Sequence, residues 1–159
     1  MSSKADASKR RKRMEAACGS SYVPFKPPGY WAAGCCAYCG NLAQTKDHIP
    51  PITWLYALGT RYFDDRGLLV VWVPACKQCN SLIGDKKLFT IHERTVYLWR
   101  KYVELYKNIV TNPSWDDHEI NTLRGRLKDE IGNFANCQRA ADRRLAILEE
   151  NIGMRSMQS

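Results

Sequence analysis

The sequence lacks both a long apolar run and a secretory signal. No stretch approaches the roughly 18 consecutive apolar residues that a membrane-spanning helix needs, so we expect no integral membrane protein. The N-terminus is basic, but the apolar segment that follows such a region in a signal peptide is missing. We therefore expect a cytoplasmic protein that is not secreted.

Acidic residues are fewer than basic ones. The chain has 16 Asp and Glu against 24 Lys and Arg, a net charge of +8. Much of the excess lies at the N-terminus, where such a charge density predicts a disordered basic tail over residues 1–17. A run of this kind is typical of a solubility tail, a targeting signal or a phosphate-binding arm. It consists of Lys9, Arg10, Arg11, Lys12 and Arg13.

Four of the seven cysteines form two pairs of the same spacing, Cys36-x-x-Cys39 and Cys76-x-x-Cys79. Two residues between thiolates let both sulfurs face one point, at the ~2.3 Å that zinc requires. Two such pairs supply a closed tetrahedral shell. Two disulfides are the alternative, which is disfavoured in a chain without a secretory signal. We therefore predict that these four cysteines hold a structural Zn²⁺ ion.

The segment between the cysteine pairs predicts a strand, a loop with a short helix and a second strand. Residues 43–48 form an extended run, and residues 68–73 are an apolar, β-branched strand. After the second pair, a helix is expected over residues 77–83, with Gly84 ending it. Zinc would then pin the start of the first strand to the start of this helix.

That arrangement would place Asn80, on the first turn of the helix, close to Asp47 and His48 on the first strand. A carboxylate, an amide oxygen and an imidazole would meet at one point. Such a group is typical of a site for Mg²⁺, which takes a few protein oxygens together with water and substrate phosphate.

The stretches "CAYCG", "TKDHIPP" and "VPACKQCN" together resemble the HNH, or His-Me finger (ββα-metal), endonucleases of the zinc-stapled type. The similarity covers about residues 35–87 and is greatest to the phage recombination endonuclease VII branch. It implies a zinc-bound nuclease module over residues 18–89, in the cytoplasm of a bacterium or of a phage-infected host. It also implies a metal-dependent endonuclease that hydrolyses phosphodiester bonds in DNA, with RNA not excluded.

By position, the resemblance implies His48 as the general base, with Asp47 and Asn80 holding one catalytic Mg²⁺ or Mn²⁺ ion. The chain departs from many family members at Val71, where they carry an asparagine, and at Gly84, near which they carry a histidine. The candidates for binding nucleic acid are basic side chains of the tail and the module. They are Lys9, Arg10, Arg11, Lys12, Arg13, Lys46, Lys77, Lys86 and Lys87.

Two other functions compete with the endonuclease. One is a catalytically inactive, zinc-stabilised module that binds nucleic acid. The other is a protein-binding adaptor or inhibitor that acts through its helices.

Residues 90–159 predict a helical hairpin. The stretch "TIHE" is a capping box from which a helix should run to about Val110, and Ser114 should cap a second helix that ends near Asn151. We expect these helices to pack on the zinc module or to form a homodimer. The predicted fold class is therefore α+β: a small zinc-stapled ββα-metal module followed by two long α-helices, mainly helical by residue count.

Overall fold

A computed structural model describes residues 4–25 and 34–156. Within that part of the chain there are seven α-helices, one 3-10 turn and three β-strands, which confirms the predicted α+β, mainly helical class. The elements are α1 (Lys4–Cys18), the 3-10 turn (Gly19–Ser21), β1 (Val23–Pro24), β2 (Thr45–Ile49), α2 (Ile52–Leu58), α3 (Thr60–Asp64), β3 (Val71–Ala75), α4 (Lys77–Ile83), α5 (Ile91–Val110), α6 (Asp117–Thr122) and α7 (Gly125–Ser156).

The three strands form one sheet in the order β1-β3-β2. β2 is antiparallel to β3 and β1 is parallel to it. β3 begins at Val71 rather than at residue 68, because the ladders with both neighbouring strands start there. Along β2 the side chains alternate between faces, so that Asp47 is buried while Lys46 is exposed and His48 is half-buried.

The helix after the second cysteine pair and the capping box after it are both confirmed. α4 ends at Gly84, whose φ of 53° is in the region that favours glycine. At the start of α5, the Thr90 hydroxyl accepts from the Glu93 amide at 3.1 Å, and the Glu93 carboxylate accepts from the Thr90 amide at 3.0 Å. α5 ends at Val110, as predicted.

The prediction of one long second helix capped by Ser114 is wrong. Asp116 is the N-cap of the short helix α6, in a capping box with Glu119. The helix stops at Leu123, which has an extended backbone with ψ of 161°. A separate helix, α7, begins at Gly125, where φ is +58°, and continues past Asn151 to Ser156.

The prediction of a disordered tail over residues 1–17 is also wrong for residues 4–17, which belong to α1. Residues 1–3 lie outside the described part. The helix is anchored because Met14 is only 6% exposed and packs in a core cluster with Tyr22, Leu55 and Phe63. Its charged side chains from Asp6 to Glu15 remain in solvent, and Ala, Arg, Lys, Met and Glu all favour helix.

The larger core joins the cysteine pairs to the C-terminal helices. Leu98 and Tyr102 of α5 and Leu148 of α7 are fully buried in the same cluster as the four cysteines. The helical region therefore packs on the cysteine module, while homodimerisation stays a prediction. None of the described helices is both long enough and apolar enough to span a bilayer.

Candidate metal centre and adjoining cavity

The four paired cysteines meet in the core. Their Sγ atoms all lie within 4.8 Å of one another and all four residues are buried. The Cys39 and Cys76 sulfurs are 3.7 Å apart, close to the ~3.8 Å between ligands that a tetrahedral zinc site with ~2.3 Å bonds would have. The cluster is therefore consistent with the predicted structural zinc.

Local structure sets this geometry. Gly40 follows the first pair with φ of +73°, in the left-handed region that a tight turn there requires. Cys76 is the N-cap of α4, and its sulfur accepts from the amide of Cys79 at 3.4 Å. The first turn of α4 thus directs both sulfurs of the second pair to the same point.

The four thiols perturb one another. A hydrogen bond with Cys39 lowers the pKa of Cys36 to about 7, and a hydrogen bond with Cys36 lowers the pKa of Cys76 far below its ordinary value. Hydrogen bonds with Cys36 raise the pKa of both Cys39 and Cys79 well above theirs. Thiolates this close repel one another, and a divalent cation between them would remove that repulsion.

The C-terminal helices complete the surroundings of the cluster. The Tyr102 hydroxyl of α5 lies 3.4 Å from the Cys79 sulfur. The Arg144 guanidinium of α7 lies over the Tyr102 ring, 4.7 Å from its centroid. The Asn151 amide of α7 donates to the Tyr38 carbonyl at 2.9 Å. Sequence reasoning missed these contacts because no local pattern links residues so far apart in the chain.

Asp47 is turned into the core. The Tyr38 hydroxyl donates to its Oδ2 at 2.5 Å, and Arg94 of α5 donates to its Oδ1 at 2.5 Å. Tyr38 and Arg94 are fully buried and Asp47 is 3% exposed. Burial, followed by the charge of Asp47, raises the pKa of Tyr38 well above its ordinary value. Both carboxylate oxygens are therefore already engaged.

His48 lies on the opposite face of β2. Its ring meets the Tyr22 ring edge-on, with centroids 4.7 Å apart, and the Tyr22 hydroxyl donates to the Pro50 carbonyl at 2.6 Å. Burial lowers the pKa of His48 below its ordinary 6.5. The imidazole is therefore mainly neutral at neutral pH and able to accept a proton.

Asn80 of α4 lies against β2, as the sequence predicts. Its Nδ2 donates to the Thr45 hydroxyl at 3.1 Å and to the Lys46 carbonyl at 3.4 Å. A carbonyl can only accept, so the amide nitrogen faces the strand. Its Oδ1 accepts no hydrogen bond from residues 4–25 or 34–156 and is left for another partner.

Asp47, His48 and Asn80 all line one cavity of about 770 Å³. Of these three residues, only His48 and Asn80 have a side-chain polar atom without a hydrogen-bond partner among residues 4–25 and 34–156. Residues of α1, β2, α2 and α4 form its walls. Four basic and three acidic side chains line the cavity. The acidic ones are Asp6, Asp85 and Asp47, of which Asp47 is paired with Arg94. Its basic side chains are Arg10, Arg11, Lys46 and Lys77.

The remaining predicted basic contacts lie elsewhere. Lys86 donates to the Leu82 and Ile83 carbonyls at the end of α4, and Lys87 lies over the Trp54 ring at 5.4 Å. The others, on α1, do not line the cavity. They are Lys9, Lys12 and Arg13.

The ligand pair that the resemblance implies for a catalytic cation fits only in part. Asn80 offers a free amide oxygen. Asp47 does not fit, because turning it toward a cation would leave the fully buried Arg94 without its partner, a change that destabilises a protein by about 3–5 kcal/mol.

No family model matches the chain, and no curated protein or solved structure matches it either. The similarity to HNH endonucleases thus depends on the three quoted motifs alone, and the activity stays a prediction.

Proposed function

We propose that this chain is an endonuclease of the HNH type that hydrolyses phosphodiester bonds in nucleic acid. The observation that carries the proposal is the single cavity where His48 and Asn80 meet four basic side chains. A neutral imidazole beside positive charges is what hydrolysis of an anionic ester needs. The four-cysteine cluster supports the proposal because it joins the strand and the helix that carry these residues.

In this proposal His48 removes a proton from the attacking water. The water oxygen bonds to phosphorus as the bond to the leaving sugar oxygen breaks, and that oxygen takes a proton from solvent. Its imidazole is half-buried, so its pKa is lowered and it is ready to accept a proton near neutrality. The basic groups of the cavity hold the phosphate and offset the charge that develops on its oxygens. They include Lys46 on the same face of β2 and Lys77 at the start of α4.

Asp47 acts as a positioning residue in this proposal. Its contacts with Tyr38 and Arg94 fix strand β2 to the cysteine turn and to α5. The strand can then present His48 from its other face without bending. A divalent cation, when bound, would supply further charge neutralisation at the phosphate, and the amide oxygen of Asn80 is available to hold it.

The test is cleavage of supercoiled plasmid by purified, zinc-loaded protein in Mg²⁺ or Mn²⁺. Cleavage is expected from the unchanged protein and should fall about 10²–10⁴-fold in His48→Ala, the usual contribution of a general base. His118→Ala is the matched control because His118 is exposed on α6, and it should cleave normally.

A second candidate function is nucleic-acid binding without catalysis. The engagement of Asp47 in the core favours it, because Asp47 is then unavailable as a cation ligand. Intact plasmid in all metals, together with retained binding, would support this second function and overturn the first.

A further inference from the structure

α1 forms one wall of the cavity that contains His48. The residues of α1 that line it are spaced three or four apart, so they share one helical face: Asp6, Ala7, Arg10, Arg11 and Met14. Met14 anchors this face in the core. β2 and α4 form the opposing walls, with Lys46 on the strand and Lys77 on the helix.

Charged side chains of α1 interact electrostatically with His48. Arg11 and Glu15 are both among the groups whose charge acts on the His48 imidazole. Arg11 also pairs with Glu15 at 3.1 Å, and this pair is solvent-exposed. A phosphate beside His48 would therefore lie between the basic side chains of α1 and those of β2 and α4.

The size of the cavity limits what can enter. Its 770 Å³ is within the ~300–1,000 Å³ of pockets for drug-sized molecules. A short stretch of one strand fits such a space. A duplex, supercoiled plasmid included, can enter only where one strand is locally separated from its partner.

We propose that α1, β2 and α4 form a channel for a single nucleic-acid strand, and that Arg10 and Arg11 are phosphate-binding residues within it. This inference rests on the proposed function for the class of substrate. Arg10 and Arg11 line the channel, whereas Lys12 and Arg13 of the same helix do not. Each pair carries two positive charges. Comparing variants of the two pairs therefore distinguishes binding within the channel from general electrostatic attraction.

The experiment measures binding rather than cleavage. The 159-residue chain with His48→Ala, loaded with zinc, is titrated against a fluorescent single strand of about 12 nucleotides, within the ~4–16 nucleotides that single-strand-binding folds cover. A duplex of the same sequence is titrated in parallel. Arg10→Ala/Arg11→Ala is compared with Lys12→Ala/Arg13→Ala, and thermal unfolding confirms that both fold.

The single strand should bind more tightly than the duplex. Arg10→Ala/Arg11→Ala should weaken single-strand binding at least about tenfold, and should reduce the slope of log K against log salt by about 1.4, since each phosphate contact contributes ~0.7. Lys12→Ala/Arg13→Ala should weaken binding less than about threefold.

Equal losses from the two double variants, or tighter binding of the duplex, would overturn the channel. The proposed function has a separate readout. If the protein with His48 intact cleaves plasmid but the two double variants bind alike, the channel fails and the nuclease stands. If binding depends on Arg10 and Arg11 but nothing is cleaved, the channel stands and the nuclease fails.

Discussion

The two faces of strand β2 differ in how fully their polar groups are paired. On the inner face, Asp47 is closed in by Tyr38 and Arg94, and both of its oxygens are engaged. On the outer face, His48 and Lys46 line an open, basic cavity, which Asp47 also borders although it is only 3% exposed. Adjacent residues on a strand point to opposite faces, so one step along the chain separates a structural group from a chemical one.

Asp47 and His48 are neighbours in the chain but lie in different surroundings. The resemblance to HNH endonucleases groups the two residues in one site. The structure assigns Asp47 to the same interior as the cysteine cluster, because Tyr38 stands between Cys36 and Cys39 in the chain and bonds to Asp47. We expect substitutions on the inner face of β2 to lower mainly the stability, and substitutions on its outer face to lower mainly the cleavage rate.

The largest effect is expected at the cysteine cluster. Cys79→Ser should abolish cooperative folding, because structural zinc contributes about 10–16 kcal/mol of apparent binding free energy in small zinc domains. The loss is measured as zinc content by elemental analysis and as thermal unfolding by circular dichroism. Cys137→Ser is the control, since Cys137 is exposed on α7 and should change neither quantity.

A protein that contains no zinc, or that keeps its unfolding transition in a strong chelator, would contradict this expectation. The inner face of β2 would then need another source of its stability.

The next effect is expected at Asp47. Asp47→Ala leaves Arg94 buried without a partner and should lower the free energy of unfolding by about 3–5 kcal/mol. Denaturant unfolding checks this. The exposed pair of Arg139 and Asp117 provides the control, because Asp117→Ala should change stability by no more than about 1 kcal/mol.

A double substitution distinguishes the cost of leaving Arg94 buried and unpaired from the loss of its hydrogen bond with Asp47. Asp47→Leu with Arg94→Met removes both charges, and it should recover much of the stability that Asp47→Ala loses. Similar losses from Asp47→Ala and Asp117→Ala would show that the inner face is not closed in solution.

A smaller effect is expected where α5 contacts the four-cysteine cluster. Tyr102→Phe removes the hydroxyl that lies 3.4 Å from the Cys79 sulfur, and zinc affinity should fall about 10–100-fold, as is usual for outer contacts of a metal site. Competition with a chromophoric chelator measures this affinity. Tyr56→Phe is the control, because Tyr56 is 57% exposed. Equal zinc affinities of the two variants would show that the Tyr102 hydroxyl does not support zinc binding and that Tyr102 contributes only packing.

The smallest expected effect is on the pH dependence of cleavage. Burial lowers the pKa of His48 below 6.5, while Asp47 and Glu15 oppose this and Arg11 and Lys46 reinforce it. The base is active when neutral, so cleavage should rise with pH and reach a plateau, with the midpoint of the acidic limb below 6.5. Single-turnover rates between pH 5 and 8 would show it, and a midpoint above 6.5 would be inconsistent with the half-buried imidazole.

Features set by local signals could be predicted from the sequence. The cysteine spacing located the cluster, the Thr90-to-Glu93 pattern located the start of α5, and Gly84 located the end of α4. The residues that decide each local structure lie within a few positions of one another, as do the two cysteines of each pair. The closeness of Asn80 to β2 was predicted because a metal ion shared by the two cysteine pairs would hold the start of α4 beside the start of β2.

The partners of Asp47 could not be predicted in the same way. Arg94 lies 47 residues from Asp47, so only the packing of α5 on the sheet brings them together. A weak signal was present, because Arg94 lies three residues after Ile91 and four before Leu98, on the apolar face of α5. The anchoring of α1 likewise depends on Met14 reaching a cluster formed by α2 and α3.

The most direct test of the division between the two faces is the cleavage rate per folded molecule of Asp47→Asn, measured beside its thermal unfolding. We predict a lowered unfolding temperature with cleavage retained to within about tenfold at a temperature where the variant is folded, whereas His48→Ala keeps its fold and loses cleavage. An Asp47→Asn variant of unchanged stability that no longer cleaves would contradict this account, because Asp47 would then belong to the chemistry and not to the core.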